Sequence, residues 1–201
     1  MTFREHMAEM TVRALAEFDE EPASGIYAVT FRIDSVDQDP RLPYLAIGYN
    51  TDAEVARLLA ATSPPEPWDA RWNYACFPPS GLEGIRIAGH HREHDPGGAE
   101  LHRREATARG LWYEDGDELP DAERDTRDER LDAEFRELCV DLARQLHSGG
   151  RIAARLGRPV PVILYDMFQP DEMFALTRAA NPADLVAEFL TEDPEGQAPL
   201  R

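Results

Sequence analysis

The sequence contains no lysine, so all 21 of its basic residues are arginine. Because no single binding or catalytic site would remove lysine from a whole chain, this absence favours a coding bias such as that of a GC-rich bacterial genome. Cysteine is also scarce, since Cys76 and Cys139 are the only two and no CxxC pair occurs. Two unpatterned cysteines exclude a zinc ribbon or a dithiol redox motif and fit a reducing compartment.

Long apolar runs and catalytic signatures are missing as well. No run approaches the roughly 20 apolar residues that a helix needs to cross a bilayer, and residues 1–6 open an amphipathic segment rather than the apolar core of a signal peptide. We therefore expect a cytoplasmic protein that does not span a membrane. There is no G-x-S-x-G elbow, and His90 and His91 stand where a phosphate-binding loop would have Lys and Ser or Thr. No cofactor is expected.

The charge is strongly one-sided, with 39 acidic residues against 21 basic ones and a net charge of −18. Such a field repels phosphate backbones and anionic membranes, so neither nucleic acid nor a membrane is expected as a partner. The same field would attract a basic protein. Acidic charge also serves simply to keep a protein soluble, and the composition leaves both interpretations open.

The apolar patterns predict a single α+β domain, in which amphipathic helices pack on a mixed, partly antiparallel sheet. An apolar run over 160–167 has no helical spacing and predicts a strand buried on both faces near the middle of the sheet. Alternating residues near 26–33 and 44–49 predict two strands, and their short link favours an antiparallel pair. Intervals of three and four between apolar residues predict helices near 3–18, 131–147 and 182–191.

An acidic insertion at about 89–130 interrupts this pattern. It has few apolar positions, so we predict a mobile excursion with little core of its own, part of which extends the following helix towards its N-terminus. The tail from residue 194 should fray. The acidic candidates for contact with a basic partner are Glu114, Asp115, Asp117, Glu118 and Asp121.

Apolar anchors for such a partner would have to come from tryptophan, which is enriched at the centres of protein interfaces. The candidates are Trp68, Trp72 and Trp112. Trp68 and Trp72 lie among prolines, where they could form a ligand platform; we favour a lid that closes one edge of the core.

The sharpest catalytic motif is His90-His91-Arg92-Glu93-His94, which matches the H-x-x-E-H signature of zinc peptidases. That chemistry needs His90 and His94 on one face of a helix, with Glu93 acting on a metal-bound water. Gly89 before the motif and Asp95-Pro96 after it favour a solvated loop instead. A metal-dependent hydrolase using these residues is the alternative to a non-catalytic protein-binding module.

The order of elements also carries a resemblance. The Gly25-Ile26-Tyr27-Ala28-Val29 strand, Asn50-Thr51 before an acidic helix start, the tryptophan segment, the long helix, Tyr165-Asp166 and Asn181-Pro182 follow one another along most of the chain. In this the chain resembles the bacterial domain of unknown function 4303 family, although the acidic insertion after His90 lies outside that pattern. The resemblance implies a small cytoplasmic bacterial protein, of a kind sometimes found among the immunity proteins of toxin systems.

The helical pattern around 131–147 yields a test of where the core lies. Phe135→Ala and Leu138→Ala should each lower the free energy of unfolding by about 2–5 kcal/mol, because each removes a large side chain from a packed helix–sheet interface. Asp121→Ala and Asp125→Ala should change it by no more than about 0.5 kcal/mol. Urea unfolding of the four variants measures this, and equal losses in both pairs would show that the core is elsewhere.

Overall fold

A computed structural model describes residues 1–18, 25–77 and 86–194, and these form the predicted α+β fold, with helices packed on a four-stranded mixed sheet. Among these residues no helix combines the length and apolarity that crossing a membrane requires. The strands are β1 (Ile26–Ser35), β2 (Pro43–Thr51), β3 (Ile87–Gly89) and β4 (Val162–Asp166). The α-helices are α1 (Phe3–Ala16), α2 (Asp52–Leu59), α3 (Pro67–Trp72), α4 (Pro96–Ala108), α5 (Asp121–Ser148), α6 (Arg151–Leu156) and α7 (Met173–Ala180).

The strands are arranged in the order β3-β2-β1-β4. Strand β2 pairs antiparallel with both β1 and β3, which confirms the predicted antiparallel pair, and β1 pairs parallel with β4. The strand predicted over 160–167 does form, as β4. Its predicted place near the middle of the sheet is wrong, because β1 occupies the centre and β4 lies at an edge.

Strand β4 is buried in spite of its edge position, and helix α7 provides the cover. The Leu164 N–H donates to Thr177 Oγ1 at 3.0 Å, and the Val162 N–H donates to Asn181 Oδ1 at 2.7 Å. In return, Asn181 Nδ2 donates to the Val162 carbonyl at 2.7 Å. These side chains occupy backbone groups that would otherwise pair with another strand. An edge covered in this way is as dry as a central strand, so the apolar run could not reveal where β4 lies.

The two faces of the sheet bury separate hydrophobic clusters. Helices α1, α5 and α6 cover the face that carries Val29, Phe31 and Leu164. Helices α2 and α3 cover the other face, which carries Ile163 and Tyr165. The long helix α5 begins at Asp121, which confirms that part of the acidic segment extends the helix predicted over 131–147.

The helix predicted over 182–191 is wrong. Two 3-10 segments stand there, Ala183–Leu185 and Phe189–Glu192, and the regular helix of this region is α7, which lies earlier in the chain. Asn181, directly after α7, is extended, with φ −123° and ψ 157°. The following Pro182 disfavours helical dihedrals at that position, and the Asn181 side chain is held by β4, so the chain leaves the helix there.

The prediction that segment 89–130 has little core of its own is also wrong. Helix α4 forms within it and buries Leu101 and Ala106, and the latter packs with Leu111 after the helix. Asp95, which follows the non-helical histidine segment, begins α4, because its side chain accepts from the Gly98 N–H at 2.9 Å. Of the tail predicted to fray, residues 195–201 lie outside the described residues.

The cover over β4 predicts a specific loss of stability. Thr177→Val should lower the free energy of unfolding by about 1–3 kcal/mol, because the buried Leu164 N–H would lose its acceptor. Thr126→Val is the matched control: its exposed hydroxyl donates only to the Ala122 carbonyl of its own helix, so we expect a change within about 0.5 kcal/mol. Urea unfolding of both variants measures the difference. A Thr177→Val protein as stable as the control would show that this hydrogen bond does not hold β4.

Candidate functional site

The acidic segment predicted to meet a basic partner is the exposed connection between α4 and α5. Its charge is partly neutralised within the chain. Glu114 accepts from Arg103 at 2.5 Å and from Trp112 Nε1 at 2.9 Å, and Asp115 pairs with Arg41 at 2.5 Å. Asp117 Oδ2 accepts from the Glu114 N–H, while Glu118 and Asp121 are exposed. The segment is therefore less free to attract a partner than its composition suggests.

The three candidate tryptophans do not lie together. Trp72 is buried, and both it and Trp68 pack on Phe189 in the cluster on the face covered by α2 and α3. Only Trp112 adjoins the acidic segment, and it is half-buried against His90, with ring centroids 5.4 Å apart. The structure therefore brings Trp112, but neither Trp68 nor Trp72, next to the acidic candidates.

The H-x-x-E-H segment is not helical, so His90 and His94 do not share the helical face that this motif needs. The His90 ring contacts His102 and Trp112, whereas the His94 ring contacts His91. Within the described part of the chain, no group of three or more His, Cys, Asp or Glu side chains is placed to hold a metal ion. The segment is a solvated turn over Arg92, Glu93 and His94, as its sequence suggested, but His90 at its start is only 2% exposed.

His90 and His102 form a buried pair, with 3.0 Å between their Nδ1 atoms. One of these nitrogens must donate and the other accept, so the contact requires at least the accepting ring to be neutral and rules out a pair in which both rings are charged. Burial lowers the pKa of His90 to about 4 and that of His102 to about 3. The pair links the end of β3 to α4, and we interpret it as structural.

A cavity of about 300 Å³ opens where the C-terminal end of β1 meets the first half of α5. Five carboxylates line it together with an apolar surface and one hydroxyl, and we call it the acidic cavity. Its carboxylates are Asp34, Asp125, Asp128, Glu129 and Asp132. The remaining lining residues are Ile33, Ser35, Pro40, Pro43 and Phe168.

The four carboxylates that α5 contributes have the spacing i, i+3, i+4 and i+7, which places them on one side of a helix. The arginines between them turn to other partners: Arg127 pairs with Glu123, and Arg130 pairs with Glu134 at 3.0 Å. Like charges at these spacings repel one another by about 0.2–0.5 kcal/mol per pair. This spacing is visible in the sequence, and it is the signal that could have located the cavity.

The carboxylates of the cavity differ in how well they are neutralised. Asp34 pairs with Arg32 at 3.2 Å, and Asp132 with Arg136 at 3.1 Å. Asp128 has only the Tyr113 hydroxyl, which donates to it at 2.8 Å. In the described structure, the side-chain carboxylates of Asp125 and Glu129 have neither a hydrogen bond nor an ion pair. The cavity therefore keeps an excess of negative charge.

Burial acts against the charged form of the deeper carboxylates. It raises the pKa of Asp128, where the Tyr113 hydrogen bond and the charge of Arg41 oppose the shift and the charges of Asp39 and Asp125 add to it. It also raises the pKa of Asp132, where Arg136 opposes the shift and Asp166 adds to it. A bound cation would relieve both effects, because it favours the ionised carboxylates.

The hydroxyl of Ser35 is a second unsatisfied group at the same place. Ser35 is 9% exposed, and its Oγ has no hydrogen-bond partner within the described residues. A buried polar group without a partner is unusual and costs free energy. The acidic cavity thus combines uncompensated charge, an apolar lining and a free hydroxyl, which suits a cation carried on an apolar stem.

Comparison with known proteins gives no match: no family model matches the chain, and no curated protein or solved structure matches it either. The function is therefore argued below from the acidic cavity and its surroundings.

The histidine pair predicts that acid weakens the fold. Unfolded histidine titrates near pH 6.5, and the folded pair at about 4 and about 3, so the unfolded chain binds more protons between these values. The pair's contribution should be complete above about pH 6.5 and fall as the pH drops towards 3, by at most about 1.4 kcal/mol per pH unit for each ring.

Urea unfolding between pH 7 and pH 4 measures this slope. A His90→Gln/His102→Leu variant lacks both titrations, so its stability should depend less on pH than that of the wild type. His94→Gln leaves the buried pair intact and should change the slope much less than the double variant does. Equal slopes in the double variant and the wild type would contradict the assignment.

Proposed function

We propose that this protein is a non-catalytic protein-binding module, of immunity or antitoxin type, that presents the acidic cavity and its surroundings to a basic partner protein. The observation that carries the proposal is the carboxylate stripe of α5, by which we mean Asp125, Asp128, Glu129 and Asp132. The side chains of Asp125 and Glu129 lack any partner in the described structure, and burial raises the pKa of Asp128 and Asp132. Repulsion within the stripe costs a little stability in the free protein, and a bound cation would relieve it.

The overall charge of −18 supports the same partner chemistry. A net negative field speeds the encounter with a basic protein and repels anionic ones, by a route that salt screens. A toxin must be met quickly by its immunity protein, and charge complementarity acts on association rate more than on final affinity. The cytoplasmic location expected from the sequence would be compatible with this role.

The acidic segment forms the outer part of the same surface. Asp115 pairs with Arg41, which also holds Asp39 at 2.6 Å, and the neighbouring Tyr113 donates to Asp128 of the cavity. The segment therefore borders the cavity, and it would steer a partner rather than anchor it. The apolar anchor is Phe168, a lining residue of the cavity that is 43% exposed. Phe168 was not among the apolar anchors predicted from the sequence.

The proposal predicts which carboxylates control association. Basic proteins captured from a lysate of the producing cells should be retained at low salt and released at high salt. For such a partner, Asp125→Asn/Glu129→Gln should lower the association rate measured by stopped flow at low salt, because it removes the uncompensated charge of the cavity. Glu9→Gln/Asp184→Asn removes two exposed acidic charges outside the cavity, so it controls for net charge and should keep nearly the wild-type rate.

A third variant separates the outer segment from the cavity. Changing Glu114, Asp115, Asp117 and Glu118 to their amides should lower the rate by less per charge than the cavity variant, because two of them already pair with arginine. The proposal fails if no basic protein is retained at low salt. It also fails if the cavity variant and the Glu9→Gln/Asp184→Asn control associate equally fast.

A further inference from the structure

We infer that the acidic cavity is a receptor for a single arginine side chain of the basic partner, which inserts its guanidinium among Ser35, Asp128 and Asp132 and lays its aliphatic stem against Phe168. This inference rests on the proposed function, and it adds the chemical group that the cavity recognises.

The shape of the cavity favours an organic cation over a metal ion. Its volume of about 300 Å³ is large for an ion, and its carboxylates lie around an apolar lining of Ile33, Pro40, Pro43 and Phe168. Across the described residues, no three acidic, His or Cys side chains are grouped so that they could hold a metal. A divalent cation needs several oxygens at about 2.0–2.6 Å, whereas a guanidinium spreads its donors over a wider arc.

The donors and acceptors also match arginine better than lysine. Guanidinium has five N–H donors in a plane and no acceptor, and the cavity offers carboxylate oxygens together with the unpartnered Ser35 hydroxyl. Carboxylates take guanidinium in a two-point contact that the compact lysine ammonium cannot form. The exposed ring of Phe168 adds an apolar face against which the methylene stem of an arginine can lie.

Some carboxylates of the cavity also lack a cationic partner, as expected of a site that binds a cation. Arg32 pairs with Asp34 and Arg136 with Asp132, but no arginine of the described chain forms an ion pair with Asp125, Asp128 or Glu129. The free protein therefore holds the acceptors in place while leaving their charge uncompensated, and an arginine from outside would complete the set.

The test uses the whole protein and a defined probe, N-acetyl-arginine N-methylamide, titrated at constant ionic strength and followed by NMR. Saturable shifts should appear at the backbone amides of Ser35, Asp128 and Asp132. The citrulline analogue, which has nearly the same shape without the charge, should produce none of them. The lysine analogue should bind more weakly than the arginine probe.

Two variants test the site without endangering the fold. Ser35→Ala removes a hydroxyl that has no hydrogen bond in the described structure, so the protein should stay folded and bind the probe about threefold to tenfold more weakly. Asp125→Asn/Glu129→Gln changes two exposed side chains and should weaken binding about tenfold. Glu9→Gln/Asp184→Asn should bind like the wild type.

The other outcomes contradict either this inference or the proposed function. Shifts spread over the surface, or equal binding of the arginine and citrulline probes, would overturn it. So would spermidine, if it shifts the same amides and displaces the arginine probe at lower concentration, since the cavity would then be a polyamine site. If the arginine probe fails while a basic partner is still captured, only this inference falls; if the probe binds and no partner is captured, only the proposed function falls.

Discussion

The parallel pairing of β1 with β4 is the constraint on which the rest of this structure depends. Its register sets Val29 opposite Val162 and Ile33 opposite Asp166, so the two strands end side by side at the same end of the sheet. Parallel strands are found almost only where both faces are covered, and an exposed edge is open to pairing with another chain. The face helices cover the two faces, and the Thr177 and Asn181 side chains protect the outer edge.

The acidic cavity is a consequence of that arrangement. Because β1 and β4 end together and α5 passes over them, the start of α5 faces the strand ends rather than the middle of the sheet. Asp166 at the end of β4 accepts from the Phe168 and Gln169 N–H groups, each at 2.9 Å, which turns the chain and brings Phe168 to the cavity. Polar groups that would be intolerable over the sheet can be held at this position, beside solvent.

The carboxylate stripe on α5 is where this chain departs from what stability alone favours. The arginines of the same stretch could have relieved it, yet Arg127 and Arg130 are engaged with Glu123 and Glu134, and Arg124 lies over the Tyr113 ring. Local features that cost stability without an evident compensation are expected at functional sites. The histidine pair shows the contrasting case, since its polar atoms satisfy one another and its pKa shifts need no ligand to explain them.

The sequence by itself determined strands β1, β2 and β4, helices α1 and α5, the antiparallel β1–β2 pair and the excess of negative charge, because each depends on local periodicity or on composition. Only the tertiary structure decided that β4 is an edge strand and that the Asn181 side chain is held by it, because these depend on contacts between residues distant in sequence. The same holds for the site. Asp125 and Glu129 could be placed on one helix face from their spacing, but Ser35, Phe168 and the absence of a neutralising arginine at the cavity in the described structure follow from contacts that no local pattern contains.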